Sequence, residues 1–350
     1  MKHKLASKIL ALMLFFTLCI VTSARLQAQF IDIPDANFRA KLQKLYPTCF
    51  GGKSGIQLNT TCKAVTSETT LNMDDSNIAD LTGIGAFTSL QTLSCNNNLL
   101  TNLPNLPTSL KGLRCYNNKV IILPPLPAGL NNLECVNNQL ISLPVLPASL
   151  QILRCNGNTL TSLPVLPAGL RTLSCGSDQL TSLPALPQSL RNLSFSATSL
   201  PSLPPLPVGL DTLECAGNQL MTSLPALPAG LSALWCSFNQ LTSLPALPAG
   251  LKNLDCRGNQ LTRLPALPTG LIFLTCNSNQ LTNLPALPTS LWGLTCGNNK
   301  LTSLPLLPDD VNNLDCRGNQ ITRLPPLPAT LRGLSCEYNQ LDFIDLEVIK

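Results

Sequence analysis

Histidine is almost missing from this chain: the single one among 350 residues is His3, at the extreme N-terminus. Without another imidazole, the usual acid, base and nucleophile activator of an enzyme site is absent. Fifteen cysteines are present, yet no two have Cys-x-x-Cys spacing, which argues against a zinc site. Charged residues make up only 12% of the chain and aromatics 4%. Asp74-Asp75 is too short a pattern for a calcium loop, and no glycine-rich phosphate cradle occurs. These absences predict a chain without catalysis, metal or cofactor.

Residues 1–28 read as a signal peptide. Lys2, Lys4 and Lys8 precede an apolar run from Ile9 to Val21, and Ala24 or Ala28 supplies a small residue for cleavage. The run is shorter than the ~20 residues that cross a bilayer, and prolines and polar residues interrupt every later one. Removing the four bases of this leader (Lys2, Lys4, Lys8, Arg25) from the total of 23 leaves 19 against 18 acids. A mature chain so close to neutral has no electrostatic reason to seek nucleic acid or an anionic membrane. The expected location is outside the cell or on its surface.

What the chain does have is a twenty-residue unit repeated thirteen times from Leu90 onward. Leu251–Gly270, LKNLDCRGNQLTRLPALPTG, is a clean copy, and the template is LxxLxCxxNxLxxLPxLPxx. One inserted residue near Met221 is the only slip in phase. A fixed period of this length predicts a solenoid, each coil burying its apolar side on the next. Leucines at positions 1, 4, 11, 14 and 17, the cysteine at position 6 and the asparagine at position 9 are expected to face inward. Positions 3 to 7 alternate, which predicts a short strand with 3, 5 and 7 outward and a parallel sheet at ~4.8 Å per coil. Two prolines per coil exclude a regular helix on the other side and favour extended, polyproline-like geometry. The asparagine at position 9 of each coil should form a hydrogen-bonded ladder, because a buried amide needs partners. Phe195 and Thr198 in the sixth coil and Asp178 in the fifth break the template, which predicts irregularity around residues 176–201.

These residues resemble the bacterial leucine-rich-repeat family in its short LPxLP form, like the repeats of type III secreted effectors. The resemblance covers Leu90 to about Leu346. It implies a curved solenoid with the parallel sheet on its concave side, used to bind other proteins. The cysteine at position 6 and the leading segment are similar to secreted or surface leucine-rich-repeat proteins, in which an IPDANF-type sequence (Ile33–Phe38) belongs to an N-terminal cap. Leu71–Phe87 is similar to a longer, internalin-like first coil. The organisation expected is signal peptide 1–28, cap 29–67 and repeat domain 68–350, with little helix outside the cap. In the cap, Asp35 should start a helix to about Leu45 with Phe38, Leu42 and Leu45 on one face. At the other end, the ten residues Leu341–Lys350 are either a minimal cap or the point where a longer chain is cut.

Export favours a disulfide between Cys49 and Cys62, while the column of cysteines from Cys95 to Cys336 reads as small buried hydrophobes. The outward columns carry the candidate ligand contacts. Glu134, Glu214, Asp255 and Asp315 are expected to be solvated strand residues. Trp235, Phe273, Asp255, Arg257, Asp315 and Arg317, with Trp292 and Phe238 near the edge, form one patch; tryptophan and arginine are favoured interface anchors. Arg114, Tyr116, Glu134 and Arg154 form a second. The expected role is a monomeric, non-catalytic binder of a protein ligand. A carbohydrate-binding or adhesive module and a structural spacer of a longer surface protein are the other readings.

Overall fold

The computed structural model describes residues 29–52, 55–176 and 179–342. The leader reading of residues 1–28, Asp178 and residues 343–350 fall outside them. The chain divides into two compact units, residues 1–130 and 131–350.

The first unit opens with β1 (Phe30–Ile31), α1 (Ala36–Leu45), β2 (Phe50–Gly51), β3 (Gln57–Asn59) and α2 (Lys63–Thr66). β1 and β2 both pair antiparallel with β3. Asp35 caps α1 through one oxygen, which accepts from the Phe38 N–H at 2.8 Å. Its other oxygen accepts from the Ala79 N–H at 2.7 Å, which ties the helix start to the following coil. Phe38 and Leu42 are buried, but Leu45 is half-exposed, because the helix turns its last residue away from the core. A disulfide joins Cys49 to Cys62, with Cα atoms 5.5 Å apart. Beside it the Tyr46 hydroxyl donates to Glu68 at 2.9 Å. Burial raises the Glu68 carboxyl, but hydrogen bonds from the Thr70 N–H, the Tyr46 hydroxyl and the Thr69 N–H outweigh it and leave the pKa below its ordinary value. Three parallel strands follow, β4 (Thr70–Asn72), β5 (Thr92–Ser94) and β6 (Gly112–Arg114).

The second unit is a parallel sheet with one three-residue strand per coil. It begins with β7 (Asn132–Glu134), β8 (Ile152–Arg154), β9 (Thr172–Ser174), β10 (Asn192–Ser194) and β11 (Thr212–Glu214). It continues through β12 (Ala233–Trp235), β13 (Asn253–Asp255), β14 (Phe273–Thr275), β15 (Gly293–Thr295), β16 (Asn313–Asp315) and β17 (Gly333–Ser335). The middle residue of each strand is the position-4 leucine, and from β7 to β16 it is buried between two more accessible neighbours in all but β12. Burying one leucine contributes on the order of 1.5–3 kcal/mol. The LPxLP stretches contain no helix or strand, and a turn brings each chain back, as where the Leu251 N–H donates to Pro248 O at 3.1 Å.

The asparagine ladder fixes the spacing of the coils. Asn259 Nδ2 donates to the Cys256 carbonyl of its own coil and the Cys236 carbonyl of the coil before, both at 3.0 Å. Its Oδ1 accepts from the Leu241 N–H at 3.0 Å. Where Thr198 replaces asparagine, its N–H turns instead to Asn218 Oδ1 of the next coil, at 2.9 Å. The sheet is not interrupted around residues 176–201: Asn192 stays in register with both Thr172 and Thr212. A further irregularity sits at the insertion, where Leu220 is pushed out to 58% exposure and Met221 takes the inward place. Position 17 also departs from expectation. Leu267, Leu287 and Leu307 are only half-buried, because the flanking prolines hold that arm at the rim of the core.

Twelve cysteines of the repeat are free thiols, eleven of them buried. Burial, which penalises the thiolate, pushes Cys115 and Cys215 up to about 12. Native protein is therefore expected to show no fast reaction of the eleven buried thiols with Ellman's reagent at pH 8. All twelve should react once the chain is unfolded in guanidinium; fast native labelling would contradict the packing.

Candidate binding face

The outward side of the second sheet is built from positions 3, 5 and 7, which the alternation of each strand turns away from the core. Small residues hold most of these places, so the large ones stand out. Trp235 at position 5 and Phe273 at position 3 are 38% and 43% exposed, and Trp292, at position 2 just before β15, is 45% exposed. Phe273 and Trp292 pack edge to face, with ring centroids 5.4 Å apart and planes at 66°. Glycine makes room for this pair: a Cβ at Gly293 would lie 3.1 Å from the Phe273 ring, which reclines over β15.

Trp235 stands in register with Asp255 on the neighbouring strand. Asp255 accepts from the Arg257 N–H at 3.2 Å and pairs with its guanidinium at 3.3 Å. Three coils on, Asp315 repeats the arrangement, accepting from Arg317 Nε at 3.1 Å and Nη2 at 2.9 Å. Arg317 also reaches Glu337 at 3.6 Å. The four acids expected to be solvated, Glu134, Glu214, Asp255 and Asp315, are in fact only partly accessible, because the flanking strands rise on either side of each. Burial raises the Asp255 pKa despite the opposing hydrogen bond and charge of Arg257. Each pair therefore offers solvent its arginine more than its acid, with side-chain exposures of 45% for Arg257 and 15% for Asp255.

Phe238 packs against this group. It occupies position 8, where the backbone is left-handed in coil after coil and asparagine or glycine is the usual occupant. Phe238 holds φ at 55° and leaves its ring more than half exposed. The ring lies over Gly258, where a Cβ would come within 2.6 Å, and beneath the Arg257 guanidinium, 5.6 Å away. Ala197, Ser278 and Tyr338 hold the same conformation in their own coils. The signal in the sequence was a phenylalanine in an Asn/Gly column.

Of the second expected group, two residues fall in each unit. Arg114 and Tyr116 belong to the first unit, where the Tyr116 N–H donates to Asn96 Oδ1 at 3.0 Å. Glu134 and Arg154 belong to the second and lie 4.0 Å apart.

With stacked coils, an inward leucine–cysteine–asparagine lattice and a variable outward sheet face, the structure defines a leucine-rich-repeat solenoid, a class of protein-interaction scaffold. No protein-family model matches the chain, and neither does any curated protein sequence. Solved structures do. YopM from Yersinia enterocolitica is 38% identical with a TM-score of 0.67, over 78% of this chain and 65% of that one. The chain thus spans just under two thirds of that protein. YopM from Yersinia pestis, a leucine-rich effector protein, is 34% identical with a TM-score of 0.68, over 78% of this chain and 84% of that one. The functional domain of InlJ from Listeria monocytogenes, which includes a cysteine ladder, is 26% identical with a TM-score of 0.67, over 88% of this chain and 70% of that one. The chain belongs to the leucine-rich-repeat family.

Proposed function

We propose that this chain is an exported, non-catalytic protein-binding module, acting as a monomer outside the cell or on its surface. Its ligand is held on the sheet face over β12–β16, the concave side of the solenoid, by Trp235, Phe273, Trp292, Asp255, Arg257, Asp315 and Arg317, with Phe238 added. The observation that carries the reading is the cluster of exposed aromatics on a face where small side chains hold most positions. Exposed tryptophan beside a partly desolvated Asp–Arg pair is the composition of an interface centre. The edge-to-face packing of Phe273 on Trp292 gives no shared flat platform for a sugar ring, which favours protein over carbohydrate. Residues 1–28 as the export signal and 29–67 as the cap complete the proposal.

The test begins with cross-linking capture of a ligand by the purified protein, with titration of that ligand afterwards. Trp235→Ala and Phe273→Ala are each expected to weaken binding at least tenfold while leaving the melting temperature within a degree or two, since both side chains are exposed. Full affinity in both variants removes this face from the function.

A further inference from the structure

A second feature of the same sheet lies beside the aromatic patch. A cavity of about 520 Å³ opens on the outward face of β8–β11. Arg154 and Glu214 stand at its two ends, with Ser174 and Ser194 between them. All four share one row, since Arg154 is in register with Ser174, Ser174 with Ser194 and Ser194 with Glu214. Trp235 extends the row one strand beyond Glu214. Read along the sheet, the row is cation, hydroxyl, hydroxyl, anion, indole. The two short serines make a low floor between long walls, and Asn192 lines the same trough.

Among the described residues neither charge is held in a close ion pair. Arg154 reaches Glu134 only at 4.0 Å, and half of its side chain is exposed. Glu134 already accepts from the Asn132 amide at 2.9 Å. Glu214 accepts from the Ser194 hydroxyl at 2.9 Å through one of its two oxygens. Oppositely charged walls at a fixed distance call for a ligand with the complementary charges at that distance.

The distance is set by the sheet. Three strand spacings separate Arg154 from Glu214, about 14 Å. Four residues of extended polypeptide cover roughly the same span. A segment laid along the row therefore places residues i and i+4 over the two charges, turns i+5 away from the sheet and brings i+6 down toward Trp235. Its intervening peptide groups meet the hydroxyls of Ser174 and Ser194 and the Asn192 amide. We infer that this trough holds an extended segment of the protein ligand, with an acidic residue over Arg154, a basic residue four positions along over Glu214 and an apolar side chain two positions further on against Trp235. The inference rests on the reading of the sheet face as a protein-binding surface and names the chemistry of the partner there. A neutral saccharide has no use for opposite charges at this spacing.

The test is fluorescence anisotropy with the full chain and two labelled, end-blocked octapeptides. One is Gly-Asp-Ser-Gly-Ser-Lys-Gly-Leu and the other exchanges its Asp and Lys. The first is expected to bind at least tenfold more tightly, with a preference that shrinks as salt is added. The double variant Arg154→Glu/Glu214→Arg should reverse the preference, and Ser174→Tyr, which fills the trough, should abolish binding of both peptides. Equal or undetectable binding of the two peptides, or an unchanged preference in the double variant, overturns the inference. So does a neutral glycan whose binding is lost in Ser174→Tyr. If the peptides fail while Phe273→Ala still weakens the captured ligand, the face binds protein but this trough does not hold a charged segment. If Phe273→Ala also has no effect, both readings fall.

Discussion

Asn259→Ala is expected to cost about 3 kcal/mol of stability, far more than the loss of one polar side chain suggests. The reason lies in which groups are left without partners. The Cys236 and Cys256 carbonyls each keep a second amide donor, Asn239 at 2.9 Å and Asn279 at 3.0 Å. The Leu241 N–H has no such substitute: it donates to Asn259 Oδ1, which is buried with it. Alanine leaves that donor orphaned in an apolar surround and opens a void between two coils. Urea denaturation followed by circular dichroism measures the cost. A loss below about 1 kcal/mol would mean that water takes over the asparagine's role. Threonine is expected to rescue little, since Thr198 in the sixth coil takes its partners from Asn218 of the next coil instead.

Cys49→Ser or Cys62→Ser is expected to destabilise the first unit by a comparable amount, about 3 kcal/mol in the loop-closure account, because the bond closes a short loop of the unfolded chain. The two cysteines stand 13 apart in sequence and bracket the β2–β3 hairpin. That hairpin has no other covalent tie to α1, and its strands are only two and three residues long. Calorimetry with and without dithiothreitol gives the check. Reduction should lower the midpoint of the parent to that of the variants, and leave the variants themselves unchanged. Identical midpoints for all would show that the antiparallel sheet holds the cap unaided.

The interior was readable in the sequence because it is periodic. Leu254, Cys256, Asn259 and Leu261 are inward residues whose chemistry is repeated in nearly every coil, and burial acts on each of them alike. Trp235, Phe273 and Arg257 were recognisable for the opposite reason, as large residues on outward positions. What periodicity does not carry is sideways lean. Nothing in the spacing of Phe273 or Phe238 tells that their rings recline over Gly293 and Gly258 of the next coil, which is what turns isolated aromatics into a surface. Nor does alternation distinguish a residue that points outward from one that is solvated, so Asp255 read as exposed although its neighbours cover it. The trough between Arg154 and Glu214 was hidden in the same way, since its defining property is the shortness of the two serines between them.

The coils starting at Leu251 and Val311 share the stretch Asp-Cys-Arg-Gly-Asn-Gln, sixty residues apart, which is three whole periods. A deletion in the gene with its ends at equivalent points of these two stretches would remove three coils and join the remainder without a scar. Every leucine, cysteine and asparagine would still meet its counterpart on the next turn. The length of such a chain is therefore free to change by recombination, while the packed pair Phe273 and Trp292, which lies between the two stretches, would be gained or lost in a single event and Trp235 and Phe238 would stay.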